Sequence, residues 1–192
     1  MHLAFDIFQG MGIAAAVGIR PFLPTLVVGA LAAGNVEIHF NGTDYGFLQA
    51  AIFLLLLAGA VIVLALAERR LFENRALLIV LAVASLVLGA LLFAGSLARG
   101  HYLAWPGLIA GAACAAVGIA ATRPLLVRVR GRLDQSAAAA IPLYTEAFAV
   151  VFAALSVVAP PLGLVGLVFL LWLLVAGRKR SDQKYAGLRI LR

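Results

Sequence analysis

At 192 residues the chain has single-domain length. Its 65% hydrophobic against 12% charged residues, with a mean hydropathy of +1.10, exclude the surface of a soluble domain. Spans of about 20 residues each use up most of that length and leave no room for a soluble catalytic domain. The net charge of +7 must then be read against membrane topology before any nucleic acid is invoked.

The first apolar run, Ile7 to Ala33, carries Gly18-Ile19-Arg20-Pro21-Phe22-Leu23-Pro24 at its centre. As one helix its 27 residues reach about 40 Å, longer than the roughly 30 Å hydrocarbon core, so it must tilt or break. Pro21 leaves the Val17 carbonyl without its helical donor, and Pro24 does the same to Arg20, which predicts a break at Arg20-Pro21. A guanidinium at this depth survives where protein or water surrounds it, so Arg20 is the leading candidate for a polar intramembrane site, with Gly18 beside it. The run has no basic leader and no small-residue cleavage site, and is expected to stay in the mature protein.

Between the first two spans, Asn35 to Gly46 alternates apolar and polar residues and turns through Asn41-Gly42, a hairpin-like pattern expected on the outer face. Asn41-Gly42-Thr43 also matches a glycosylation sequon, a pattern with many chance matches. Further spans are drawn at Phe47 to Ala67, Ala76 to Ala98, Leu103 to Thr122, Ala137 to Ala159 and Leu162 to Gly177. With six alternating spans, Arg69, Arg70, Arg75, Arg123, Arg128, Arg130, Arg132, Arg178, Lys179, Arg180, Lys184, Arg189 and Arg192 fall on one side. The positive-inside rule then places both termini in the cytoplasm.

Ala14-Ala15-Ala16-Val17-Gly18-Ile19 recurs as Cys114-Ala115-Ala116-Val117-Gly118-Ile119, each copy followed by Arg-Pro, at Arg20-Pro21 and Arg123-Pro124. Three spans per half is an odd number, which predicts an inverted repeat, about 5–98 and 103–178, followed by a basic tail over 178–192. Chance in an Ala/Gly-rich chain is the plain alternative. Gly10, Ala14 and Gly18 in the first span, and Gly107, Gly111 and Ala115 in the fourth, give small-residue faces that predict two central, closely packed helices. Cys114, the only cysteine, reads as a packing residue and excludes an internal disulfide.

Glu146 is the only carboxylate deep within a span, flanked by Pro142, Tyr144 and Thr145. A buried arginine and a buried glutamate are tolerable as a pair, so Arg20 and Glu146 are expected to face one interior space, with Gly18, Tyr144 and Thr145 around it. The competing reading is a structural ion pair that fixes helix register. His2, His39 and His101 have no metal-ligand spacing, and no phosphate-cradling loop is present. No enzyme, cofactor or metal site is therefore expected.

The amino-terminal Gly18-Ile19-Arg20-Pro21-Phe22-Leu23-Pro24 and the carboxy-terminal Lys184-Tyr185-Ala186-Gly187-Leu188-Arg189-Ile190-Leu191-Arg192 resemble a family of small bacterial integral membrane proteins, domain of unknown function 4126. The resemblance covers nearly the whole chain and implies a bacterial inner-membrane protein, with no activity or site residues attached to the family. The combined expectation is a single all-α domain over 1–192 with six transmembrane helices, acting as a small transporter or channel for an anionic solute or lipid headgroup. A non-transporting scaffold or assembly factor is the alternative. Expected partners are the bilayer, anionic lipids at the cytoplasmic face and a second copy in a homodimer, with no nucleic acid.

Overall fold

A computed structural model describes residues 2–71, 75–134, 137 and 140–186. Among them are seven α-helices and no strand: α1 His2–Ile19, α2 Phe22–Ala33, α3 Ala51–Leu71, α4 Arg75–Arg99, α5 Trp105–Arg130, α6 Ile141–Val158 and α7 Pro160–Ala186. Four of these, α4 to α7, are long and apolar enough to cross a membrane. The apolar parts of α1, α2 and α3 are shorter. Residues 187–192, the end of the basic tail, lie outside the described residues.

The break at Arg20-Pro21 is present. The Arg20 N–H closes the last turn of α1 on the Ala16 carbonyl (3.2 Å), and α2 begins at Phe22. Pro24 stands in the first turn of α2, where a backbone donor would have no intrahelical partner in any case. Thr25 reinforces the turn by donating its hydroxyl to the Pro21 carbonyl at 2.6 Å. Arg123-Pro124 behaves differently, since α5 continues through it to Arg130. One proline removes one bond, whereas Pro21 and Pro24 together strip two carbonyls within a single turn.

What the break leads to departs from the sequence expectation. Asp6, near the start of α1, is ion-paired with Arg99 at the end of α4. The same guanidinium donates to the Glu37 carbonyl at 2.6 Å, just past the end of α2. Helix α2 therefore returns to the end of the bundle from which α1 sets out. Ile7 to Ala33 is a helical hairpin with Arg20-Pro21 at its tip, not a single broken span. At 12 residues, or about 18 Å, α2 is too short to cross a bilayer by itself.

This extra traversal changes the topology downstream. Gly10 lies against Phe93 and Gly111 against Gly89 and Ala90, so α1 and α5 both run antiparallel to α4 and hence parallel to each other. The inverted-repeat expectation fails at its own central pair, because the hairpin supplies an even number of passes before α5. The start of α1 and the basic ends of α4, α5 and α7 lie at opposite ends of the bundle. Arg123 donates to the Leu78 carbonyl near the start of α4 (3.0 Å), and Gly177 of α7 sits beside the Arg128 guanidinium. Apart from Arg99, the basic residues at the described ends of α4 and α5 therefore cluster at one end of the bundle.

The central pair is as close as the small-residue faces predict. Ala14, Ala15, Ala16 and Val17 are fully buried, and Gly18 and Gly118 allow the α1 and α5 backbones to meet. Cys114 is buried in the same core. Around this pair, α4 and α7 pack on both helices, α6 packs on α1 and α2, and α3 attaches mainly through α2.

At the end away from the basic residues, the 34–50 segment folds inward as turns followed by a short 3-10 helix over Gly46–Gln49. Ile38 and Phe40 are buried, with Phe40 set against Gly95 of α4. The Gln49 side chain accepts from the Phe40 N–H at 2.8 Å. The alternating pattern there marks two anchoring side chains rather than strands. Glu37 adopts φ +56°, a costly conformation for a non-glycine residue, and its carbonyl is the one that receives Arg99.

Candidate site at the hairpin tip

Arg20 lies 14 residues beyond Asp6, about 21 Å along the bundle. Ser85 of α4, which borders the same cavity, is likewise 14 residues from Arg99. From Ser85 to Arg75 at the basic end is about 15 Å. The hairpin tip thus stops inside the bundle while α5 and α6 flank the space beyond it. Cavities form there because no helix fills the gap.

Three adjoining cavities surround the tip, all bordered by Leu126. The largest, about 570 Å³, lies between α5 and α6 beneath Ile19, with Thr122, Tyr144 and Thr145 among mostly apolar walls. A second, about 310 Å³, is bordered by Arg20, Arg130, Ile141 and Pro142. The third, about 90 Å³, lies between Arg20, Arg123, Leu64 and Ser85. Pockets between helices of a bundle, largely apolar with a few polar groups, are the usual form of a ligand site.

The expected site residues separate into three groups. Arg20 is half-buried and borders two of the cavities. Thr145 and Tyr144 line the large one, with Thr145 donating to the Ile141 carbonyl at 2.7 Å and Tyr144 73% exposed at the rim. Gly18 borders the smallest cavity, yet its tight contact is with the Ala115 backbone. It therefore sets the α1–α5 distance rather than contacting an occupant.

Glu146 is half-buried and lies one turn beyond Pro142, on the face of α6 that buries Pro142, Ala149 and Ala153. That stripe points Glu146 into the bundle, one turn from the wall that Pro142 shares with Arg20.

Sequence reasoning missed Arg130 and Thr122 as members of this site. By sequence Arg130 belongs with the basic ends, and only the parallel α1–α5 arrangement carries α5 past the hairpin tip so that Arg130 borders the same cavity as Arg20. It also missed the polar knot at the opposite end. Asp6, 4% exposed, pairs with Arg99, and Ser96 donates to the Asp6 carbonyl at 3.3 Å. Three residues further along α1, Gln9 donates to the Val157 carbonyl at 3.0 Å and so caps the end of α6. Among the described residues no group of three or more His, Cys, Asp and Glu side chains could hold a metal ion.

A family comparison matches residues 7–180 to a family described as Domain of unknown function (DUF4126). No curated protein and no solved structure matches.

Proposed function

The chain belongs to this family of unknown function, and we propose that it is a small membrane transporter whose site at the hairpin tip takes an anionic group. The observation that carries this reading is Arg20, a permanently charged side chain about 21 Å into the bundle, bordering cavities rather than packed core. Glu146, half-buried on the inward face of α6 one turn from Pro142, is the acidic partner that this reading assigns to Arg20. Its carboxylate holds the guanidinium when the site is empty and releases it when an anion binds.

Orientation follows from charge. The end of the bundle that gathers Arg75, Arg128, Arg130 and Arg132 faces the cytoplasm, and the amino end of α1 faces the opposite side. This revises the expectation that both termini share one side.

The test is lipid and anion flux in proteoliposomes, with fluorescent phospholipids and a membrane-impermeant quencher on one arm and entrapped inorganic phosphate on the other. Native protein moves one of these, and Arg20→Ala slows it at least about tenfold while the protein remains folded. Equal flux from native and Arg20→Ala protein overturns the transporter reading in favour of a scaffold with a structural Arg–Glu pair.

A further inference from the structure

The hairpin tip carries charge, but the largest space beside it does not. Ile19, Leu125, Leu126, Val129, Ile141 and Phe148 make the walls of the 570 Å³ cavity apolar. Val129 and Phe148 are about half exposed on its outer flank, so the space is a groove open along the side of the bundle. A hydrated inorganic anion gains nothing from such a wall, whereas a hydrocarbon chain is stabilised in proportion to the apolar area it covers.

Leu126 and Ile141 belong to both this groove and the neighbouring 310 Å³ cavity, which makes the two spaces neighbours across shared side chains. Arg20 and Arg130 border the second cavity and stand at different depths. Thr122 of α5 lies level with the tip, bordering the same small cavity as Arg20, and Arg130 is eight residues further along, about 12 Å. Arg20 at the hairpin tip and Arg130 about two turns further along α5 therefore border one cavity from different depths.

A molecule that matches this arrangement carries an anionic phosphate at one end and an alkyl chain at the other. Building on the anion site proposed above, we infer that the α5–α6 groove takes an acyl chain of a phospholipid whose phosphate is held between Arg130 and Arg20. The occupant enters sideways from the bilayer and not from water. Guanidinium forks match phosphate oxygens in geometry as well as charge. The hydroxyl oxygens of Thr122 and Thr145, whose hydrogens are donated to the Gly118 and Ile141 carbonyls, leave their lone pairs as the groove's polar trim.

The experiment measures binding to the 192-residue chain in a neutral detergent, by native mass spectrometry. The probes are long-chain phosphatidic acid, dibutyryl phosphatidic acid, long-chain diacylglycerol and inorganic phosphate. Long-chain phosphatidic acid is expected to bind at least about tenfold more tightly than each of the other three. Val129→Trp, which fills the groove from an exposed position, is expected to remove about tenfold of that affinity. Val165→Trp, on the exposed face of α7, leaves it unchanged.

If inorganic phosphate or the dibutyryl lipid binds as well as the long-chain lipid and Arg20→Gln abolishes that binding, the anion site stands and the acyl groove is overturned. The groove is likewise overturned if Val129→Trp folds and binds like native protein. If no probe distinguishes Arg20→Gln from native, the groove inference and the anion site fall together.

Discussion

Gly18 of α1 lies directly against the Ala115 backbone of α5, and the contact is mirrored a turn away by Gly118 against the Ala15 carbonyl. Positions 18 and 118 play the same part, as do 15 and 115, so the echoed hexapeptides are each other's packing surface. A Cβ at either glycine overlaps the opposite backbone, which cannot swing aside as a side chain does.

Gly18→Leu is therefore expected to lower stability by at least about 1–3 kcal/mol, the usual cost of overpacking. Gly59 provides the contrast, since nothing lies within 4 Å of a Cβ there and it sits within α3. Gly59→Ala is expected to be neutral or to stabilise by up to about 1 kcal/mol through helix propensity. Thermal unfolding in detergent, followed by circular dichroism, ranks the two. Equal midpoints would show that α1 and α5 do not meet at Gly18.

Asp6 and Arg99 tie the start of α1 to the end of α4 and, through Glu37, to the segment after α2. Asp6→Leu leaves a guanidinium facing a largely buried site and is expected to cost about 1.5–3 kcal/mol. Adding Arg99→Leu should recover much of that loss, because two apolar side chains need no partner. A double variant that loses the full sum of the single effects would mean the two side chains act independently.

The hairpin makes a topological prediction distinct from that of a single broken span. In a Cys114→Ala background, cysteines at Leu3 and Thr43 are expected to react with a membrane-impermeant maleimide from one side of sealed vesicles, and a cysteine at Arg132 from the other. Labelling of Leu3→Cys from the same side as Arg132→Cys would restore the single-span arrangement and remove the hairpin.

Arg20 and Glu146 are expected to be coupled in transport. Arg20→Ala and Glu146→Gln should each slow flux, and the double variant should be no slower than the worse single variant, as for residues acting through one interaction. Arg20→Lys should retain part of the activity, because it keeps the charge but loses the planar fork. Effects of Arg20→Ala and Glu146→Gln that simply add would place the two residues in separate roles.

Composition and the length of the apolar runs by themselves determined that the chain forms helices, four of them among the described residues long and apolar enough to cross a membrane. The paired prolines fixed where the first helix stops, and the small-residue stripes fixed which two helices lie closest. These are local properties: a missing backbone donor or an absent Cβ acts within one turn, so the residues that cause the effect are adjacent in the chain. The direction taken after Pro21 is not local. It depends on Arg99, Asp6 and Glu37 meeting at the far end of the bundle, between residues up to 93 positions apart, and only the tertiary structure decided it. That one turn reversed the parity of the passes, made the echoed helices parallel rather than inverted, and left the space in which Arg20, Arg130 and the α5–α6 groove come together.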